Sequence, residues 1–230
     1  MTDWYAQACG IVRSIYQKRI ASPSVLDASI HFPAGRKFED AWLSIRAEAL
    51  AIAQSLEQVP RFHELMAEQA SLSANDGRDW RVFVLKIYGV EVPRNMERCP
   101  QLSALLRECP EVVSATFSFL APRKHIPYHW GPFKGVLRYH LCLSVPRLAD
   151  GRPAVLMNID GSEYRLGDGD TLLWDDTYPH EVWNQSDETR VALLLDVWRQ
   201  DMPIDMSVLS RILLAGIQTT IRYRQIGQFS

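Results

Sequence analysis

No stretch of this chain reaches the roughly 20 consecutive apolar residues needed to span a bilayer, so no transmembrane segment is expected. A basic excess is missing too. With Lys+Arg 25 against Asp+Glu 27 the formal net charge is -2, which argues against a nucleic-acid-binding surface. Met1 to Gln7 carries Asp3 and lacks the basic-then-apolar order of a secretory signal, so a cytoplasmic location is expected. The four cysteines, Cys9, Cys99, Cys109 and Cys142, are scattered without the paired spacing of a zinc site. Cys99 and Cys109 bracket a short helical stretch, and a reduced pair is the simpler reading of them. Internal repeats, low-complexity tracts and convincing linkers are also absent.

What is present suits one globular domain. At 230 residues, with 47% hydrophobic and 23% charged, the chain can bury a substantial core. The first third reads as helical. Trp4, Ala8, Ile11 and Ile15 recur at helical spacing before Ser22-Pro23. A second helix is predicted from Phe38 to Gln58, and a shorter one carries Phe62, Leu65 and Met66. From Trp80 the pattern changes to short alternating strands: Arg81 to Tyr88, Val112 to Leu120, Val136 to Ser144, Ala154 to Ile159, Thr171 to Trp174, Glu181 to Asn184 and Arg190 to Trp198. A short helix, Pro100 to Cys109, interrupts them. Helices followed by a run of antiparallel strands predict a mainly β fold, a barrel or double-sheet jelly roll buttressed by helices. The expected organisation is an N-terminal helical support over 1–79, a β core over 80–203 and a C-terminal helix over 204–230, all in one structural domain.

The chemistry concentrates in the β core. In Val136 to Ser144, period-two geometry puts Arg138, His140 and Cys142 on one face and Leu137, Tyr139, Leu141 and Leu143 on the other. In Arg190 to Trp198, Arg190 shares a face with Ala192, Leu194 and Asp196. Charged residues on a barrel's inner face need partners. His129 follows Pro127 at the end of a loop, and His180 follows Pro179 at a strand edge. Either histidine alone is more often structural than ligating. Imidazoles suit a non-haem divalent metal such as iron, and a guanidinium matches a carboxylate as a planar fork. The combination therefore asks for a metal and a small diacid.

The runs His129-Trp130-Gly131-Pro132, Leu137-Arg138-Tyr139-His140-Leu141, Asp175-Asp176-Thr177-Tyr178-Pro179-His180-Glu181-Val182-Trp183-Asn184 and Arg190 to Trp198 resemble the aspartyl/asparaginyl β-hydroxylase family. The resemblance extends from about Trp80 to Pro203. It implies a double-stranded β-helix, the cupin-like jelly roll, and an Fe(II)- and 2-oxoglutarate-dependent dioxygenase that consumes O2. By the resemblance His129 and His180 bind iron, and Arg190 with Ser118 holds the distal carboxylate of 2-oxoglutarate. Arg138 and His140 steady the carboxylate next to the metal. The third protein ligand of the common facial triad, a carboxylate two residues after the first histidine, is replaced by Gly131. Water is expected in its place. Asp176 is read as an orienting residue and not a ligand.

The resemblance implies hydroxylation of an unactivated C–H, most directly on an amino-acid or peptidyl side chain. Hydroxylation of a lipid acyl chain and a non-catalytic metal- or diacid-binding barrel are the competing readings. Trp130, Tyr128, Trp174 and Trp183 are candidates for the pocket or for the core. Arg123 and Lys124 read as exposed loop charges. For Asp205 to Arg222, flanked by Arg211, Arg222 and Arg224, the ordinary role is a helix packed on the barrel or against a second copy. The sharper role is a basic amphipathic helix on a membrane surface.

Overall fold

The computed structural model of the chain describes residues 3–223, with side chains from 7 to 222. The side chains of Trp4 and Arg224 lie outside the described residues. The N-terminal part runs α1 (Asp3–Gln17), β1 (Val25–Leu26), α2 (Ala28–His31), α3 (Gly35–Asp40), α4 (Trp42–Ala53), α5 (Phe62–Leu65) and α6 (Ala70–Ser73). The β core follows: β2 (Trp80–Ile87), β3 (Val90–Glu91), α7 (Pro93–Glu97), α8 (Pro100–Glu108), β4 (Val112–Leu120), β5 (His125–His129), β6 (Val136–Ser144), β7 (Val155–Ile159), β8 (Ser162–Tyr164), β9 (Thr171–Trp174), β10 (His180–Asn184) and β11 (Arg190–Trp198). Helix α9 (Ile204–Tyr223) ends the described chain.

Two antiparallel sheets face each other, ordered β1-β9-β6-β11-β4-β2-β3 and β5-β10-β7-β8. This is the expected jelly roll. The large sheet is covered on both sides, and period two divides its strands accordingly. Leu137, Tyr139, Leu141, Phe117, Phe119, Leu193 and Leu195 point outward into a core shared with Phe38, Ile45, Ile52 and Leu102 of the helices. The inner face carries Trp80, Val82, Leu120 and Trp174 against Ile126, Met157, Ile159 and Val182 of the small sheet. Arg138, His140, Ser118 and Arg190 share that inner face.

Three elements differ from the sequence expectation. The predicted Phe38–Gln58 helix breaks at Ala41 into α3 and α4, followed by a 3₁₀ turn over Leu56–Gln58. The bend lets Phe38 and Ile45 both be fully buried in one core. The segment before His129, read as a loop, is the strand β5. Pro127 argues against a strand because it cannot donate to a ladder, but β5 lies at the edge of the small sheet, where a missing donor is tolerated. Lys124, read as an exposed charge, is fully buried and donates to Asp76, Asn75 and the Ser73 carbonyl. Arg123 remains at the surface, paired with Asp187.

Helices α1 and α9 pack together at one end, where Tyr16, Phe133, Val136, Met206 and Leu214 form a third cluster. By length and composition alone, α9 from Ile204 to Arg222 is apolar enough to cross a membrane, at mean hydropathy 1.2, yet only 17% of that stretch is buried. Nearby, fully buried Asp175 accepts from Arg199 and from Lys134 Nζ at 2.7 Å, and from the Thr177 backbone and hydroxyl. It ties the turn before β10 to the segments after β5 and β11. Replacing Asp175 with Asn would leave buried Lys134 without a counter-charge and buried Arg199 with only the more distant Asp201 at 3.7 Å, so the expected loss is about 3–5 kcal/mol of stability. Urea denaturation checks this, and a loss below about 1 kcal/mol would contradict it.

Candidate active site

His129 and His180 are brought together by strand pairing. In β5 and β10 they are direct partners, with ring centroids 4.0 Å apart. The next pair is Val182 with Ile126, so β5 spends one more residue than β10 between the two pairs. That bulge returns His129 to the interior in phase with His180. Each ring is fixed the same way. His129 Nδ1 donates to the Pro127 carbonyl and His180 Nδ1 to the Tyr178 carbonyl, both at 2.9 Å. This tautomer leaves the Nε2 lone pairs for a ligand. Burial pulls the His129 pKa down to about 4, and burial together with the neighbouring His129 drives His180 well below its ordinary value. Two neutral, oriented imidazoles fit a divalent metal. Among the described residues no group of three or more His, Cys, Asp or Glu is positioned to hold one, so the pair stands as a two-histidine site.

Gly131 and Asp176 explain the missing carboxylate. A Cβ built on Gly131 would lie 2.0 Å from Asp176 Oδ1, so the Asp176 carboxylate fills the space of a residue-131 side chain. The Gly131 N–H donates to the Asp176 backbone carbonyl at 2.6 Å, which locks the two segments together. Burial raises the Asp176 carboxyl to about 7; Arg138 opposes this, and the acids Asp196 and Asp175 add to it. Burial works against the Arg138 charge, but Asp196 at 2.6 Å and Asp176 at 3.3 Å more than offset it and hold the guanidinium charged. The charge of Arg138 is therefore balanced within the protein.

Arg190 is different. It is 3% exposed, its Nε has no partner, and its closest polar contact is a long 3.4 Å donation to Ser118 Oγ. Burial lowers its pKa, and Cys142, a thiol that burial pushes up to about 12, gives almost no compensation. Ser118 Oγ also accepts from Trp80 Nε1 at 3.0 Å. His140, 1% exposed, has neither ring nitrogen partnered, and Trp174 Nε1 is likewise unpaired. Burial, then the nearby Arg190 and Arg138, hold His140 neutral. A buried cation with no acid in contact among the described residues, with an unpartnered imidazole nearby, has the character of an anion site.

Beyond the histidines a cavity of about 160 Å³ opens between the sheets. His129, His180, Arg138 and Asp176 form one end, and Phe62, Leu65, Met66, Val82, Val84 and Leu194 form an apolar wall. Sequence reading missed this wall, because apolar residues of a short helix and a strand read as ordinary core. Trp130 lines the cavity at 47% exposure, with the Arg13 guanidinium 5.8 Å from its ring. Trp174 is buried between His140 and His180. Tyr128 and Trp183 are not in the lining; Trp183 stacks on His125.

Residues 39–200 match the model of the aspartyl/asparaginyl beta-hydroxylase family. The chain is 34% identical over 198 residues to an ornithine lipid ester-linked acyl 2-hydroxylase of Rhizobium tropici, covering 85% of this chain and 68% of that protein. It is 25% identical over 179 residues to the human aspartyl/asparaginyl beta-hydroxylase, covering 73% of this chain but only 21% of the human protein. Among solved structures, a Pseudomonas putida prolyl-4-hydroxylase aligns over 84% of this chain and 99% of that one, with TM-score 0.42 and 14% identity. With the family match spanning most of the β core and both histidine segments, the chain belongs to the aspartyl/asparaginyl β-hydroxylase family.

Proposed function

We propose that this protein is an Fe(II)- and 2-oxoglutarate-dependent dioxygenase that hydroxylates an unactivated C–H of a lipid acyl chain. The observation that carries the first half is Arg190, a buried guanidinium with no acid beside it, in the same interior as two neutral histidines with free Nε2 atoms. His129 and His180 would hold the metal. Arg190 and Ser118 would take the distal carboxylate of 2-oxoglutarate as a charge-assisted pair. His140, with both nitrogens unused, would steady the carboxylate near the metal, with Arg138 behind it. When bound, iron with 2-oxoglutarate and O2 supplies the oxidation: the keto acid leaves as succinate and CO2, and one oxygen atom enters the C–H bond. Buried Trp174, beside His140 and His180, would help keep water away from the reacting volume. Asp176, with a carboxyl near neutrality and Oδ1 unpartnered, is placed to hold a water or its proton at the position Gly131 leaves open.

The second half rests on the cavity wall. Phe62, Leu65, Met66, Val82, Val84 and Leu194 offer methylenes an extended apolar surface, with polar lining from Gln69, Ser114, Thr116 and Arg138 elsewhere in the cavity. The named activity of the Rhizobium relative supports the same choice. An acyl chain therefore fits better than the amino-acid side chain that the family resemblance suggests from sequence.

Anaerobic titration of the purified protein with Fe(II) and then 2-oxoglutarate is expected to give a weak visible charge-transfer band that needs both additions and is lost in His180→Ala. With that band in hand, succinate release should be stimulated by a detergent-dispersed acyl lipid and not by an aspartyl peptide; the reverse preference would sink the acyl reading. Arg190→Lys keeps the charge but not the fork, so the dissociation constant of 2-oxoglutarate should rise roughly 10- to 100-fold. An unchanged constant would remove Arg190 from the site.

The metal-free protein should also lose stability in acid. Unfolded, His129 takes a proton near 6.5, but folded only near 4. Its contribution is therefore complete at neutral pH and is lost as pH falls through that window. His180 and His140 act in the same direction. Asp176, raised to about 7, acts oppositely, because the folded chain holds its proton where the unfolded one does not. Three imidazoles outweigh one carboxyl. His129→Asn should reduce the loss between pH 6.5 and about 5 by of order 1 kcal/mol, measured by denaturation at both values.

A further inference from the structure

The outer side of the α1–α9 pair has the makeup of a surface that meets lipid. Along α9, Ile204 is 85% exposed, Val208 51% and Ile212 64%, at the i, i+4, i+8 spacing of one helix face. Along α1, Ile11 is 64% and Ile15 42% exposed, again one turn apart. None of these residues is needed to hold the helices in place. The inner sides supply Tyr16, Met206 and Leu214 to the cluster with Phe133 and Val136. Tyr16 and Ser210 share a hydroxyl hydrogen bond at 2.7 Å, and Arg19 pairs with Asp205 at 2.7 Å.

Charge adds a second, independent signal. Over residues 7–20 and 204–222 the exposed cations are Lys18, Arg19, Arg211 and Arg222, against the single acid Asp205, while Arg13 turns inward over Trp130. The chain as a whole is net -2, so the positive balance is local to these helices. A third observation is position. Trp130 and Tyr88 both line the cavity beside the histidines. Arg13 of α1 lies over the Trp130 ring, and Gln218 of α9 donates to the Tyr88 carbonyl at 2.8 Å. The mouth of the cavity therefore lies beside both helices.

We propose that the exposed faces of α1 and α9 dock the protein on an anionic lipid bilayer, with the cavity mouth at the membrane surface. Exposed apolar ridges flanked by arginine and lysine bind such a surface through burial and attraction together. The helices lie on the bilayer and do not cross it. Inserting α9 as a span would strip Met206 and Leu214 from their cluster and carry Arg211 toward the hydrocarbon. A second copy of the chain fits the same face less well. A two-fold contact sets a patch against itself, and here four cations with one acid would meet their own likeness. The inference deepens the acyl reading and rests on it for its purpose: each methylene that crosses water is disfavoured about four-fold, and a mouth at the surface avoids that crossing.

The test is co-sedimentation of the full chain, loaded with Fe(II) and 2-oxoglutarate, with phosphatidylcholine vesicles prepared with and without phosphatidylglycerol. Binding is expected with phosphatidylglycerol, much weaker binding without it, and release by high salt. Ile204→Ser/Val208→Ser/Ile212→Ser, all at exposed positions, should lower the partition roughly 100-fold while leaving the Fe(II)/2-oxoglutarate absorption band intact. Wild-type protein that stays in the supernatant overturns the proposal, as does a triple variant that binds as well as wild type. A wild-type dimer by light scattering that the triple variant splits would assign the face to a second copy and overturn it too. Vesicle binding without turnover of any acyl lipid would uphold the docking surface and count against the substrate reading alone.

Discussion

Burying both faces of a seven-stranded sheet is the constraint from which the site follows. A strand in such a sheet has no solvent side, so every residue goes either to the helical layer or to the space between the sheets. Leu137, Tyr139, Leu141, Leu193 and Leu195 satisfy the first side. Arg138, His140, Ser118 and Arg190 are left on the second, where they are shielded from water whatever their chemistry. The small sheet then closes over them, and its bulged edge pair delivers His129 and His180 to the same interior. A one-residue slip in any of these strands would exchange leucines for arginines across the sheet, so core packing and site assembly enforce one register.

Pairing separates most cations of this interior from Arg190. Lys124 is fully buried and meets Asp76. Lys134 and Arg199 share Asp175. Arg138 has Asp196 and Asp176. Each is a cation with an acid in contact, fully buried for Lys124, Lys134 and Arg199 and partly buried for Arg138, the arrangement a stable fold requires. Arg190 alone among these lacks one; its polar partner is the Ser118 hydroxyl at 3.4 Å, with the unpartnered His140 imidazole nearby. Such a group is costly in the free protein, and on the proposed function a bound carboxylate would relieve that cost, so binding and local stability would be one event.

Much of this was legible from residue spacing. Alternation in Val136 to Ser144 and Arg190 to Trp198 is strong because one face of each is apolar throughout, and it placed Arg138 and His140 on one inward face and Arg190 on another. The histidine pair was visible only as a motif. Its geometry depends on a bulge in β5, and a strand containing Pro127 looks like a loop until its edge position is known. The role of Lys124 was hidden for a related reason: its partners, Ser73, Asn75 and Asp76, are some fifty positions away in a turn. The cavity wall was invisible because Phe62, Met66 and Val84 have compositions identical to core. Only the distance between two sheets tells a filled interior from an open one.

Gly131 shows how the loss of one ligand and the gain of another group are linked. In the common facial triad the carboxylate enters two residues after the first histidine. Here that route is closed by sterics, since any side chain at 131 would collide with Asp176, and the carboxylate approaches from the turn before β10. The two positions cannot both carry a side chain. Asp176 is also tied to Arg138, which in turn is tied to Asp196 on β11, so the substituted carboxylate is wired into the large sheet and not carried on the strand of its neighbouring histidine. A carboxylate held this way has its position set by the sheet and its protonation set by burial. On the proposed function, such a carboxylate would hold a water beside the two histidines without occupying a coordination position itself.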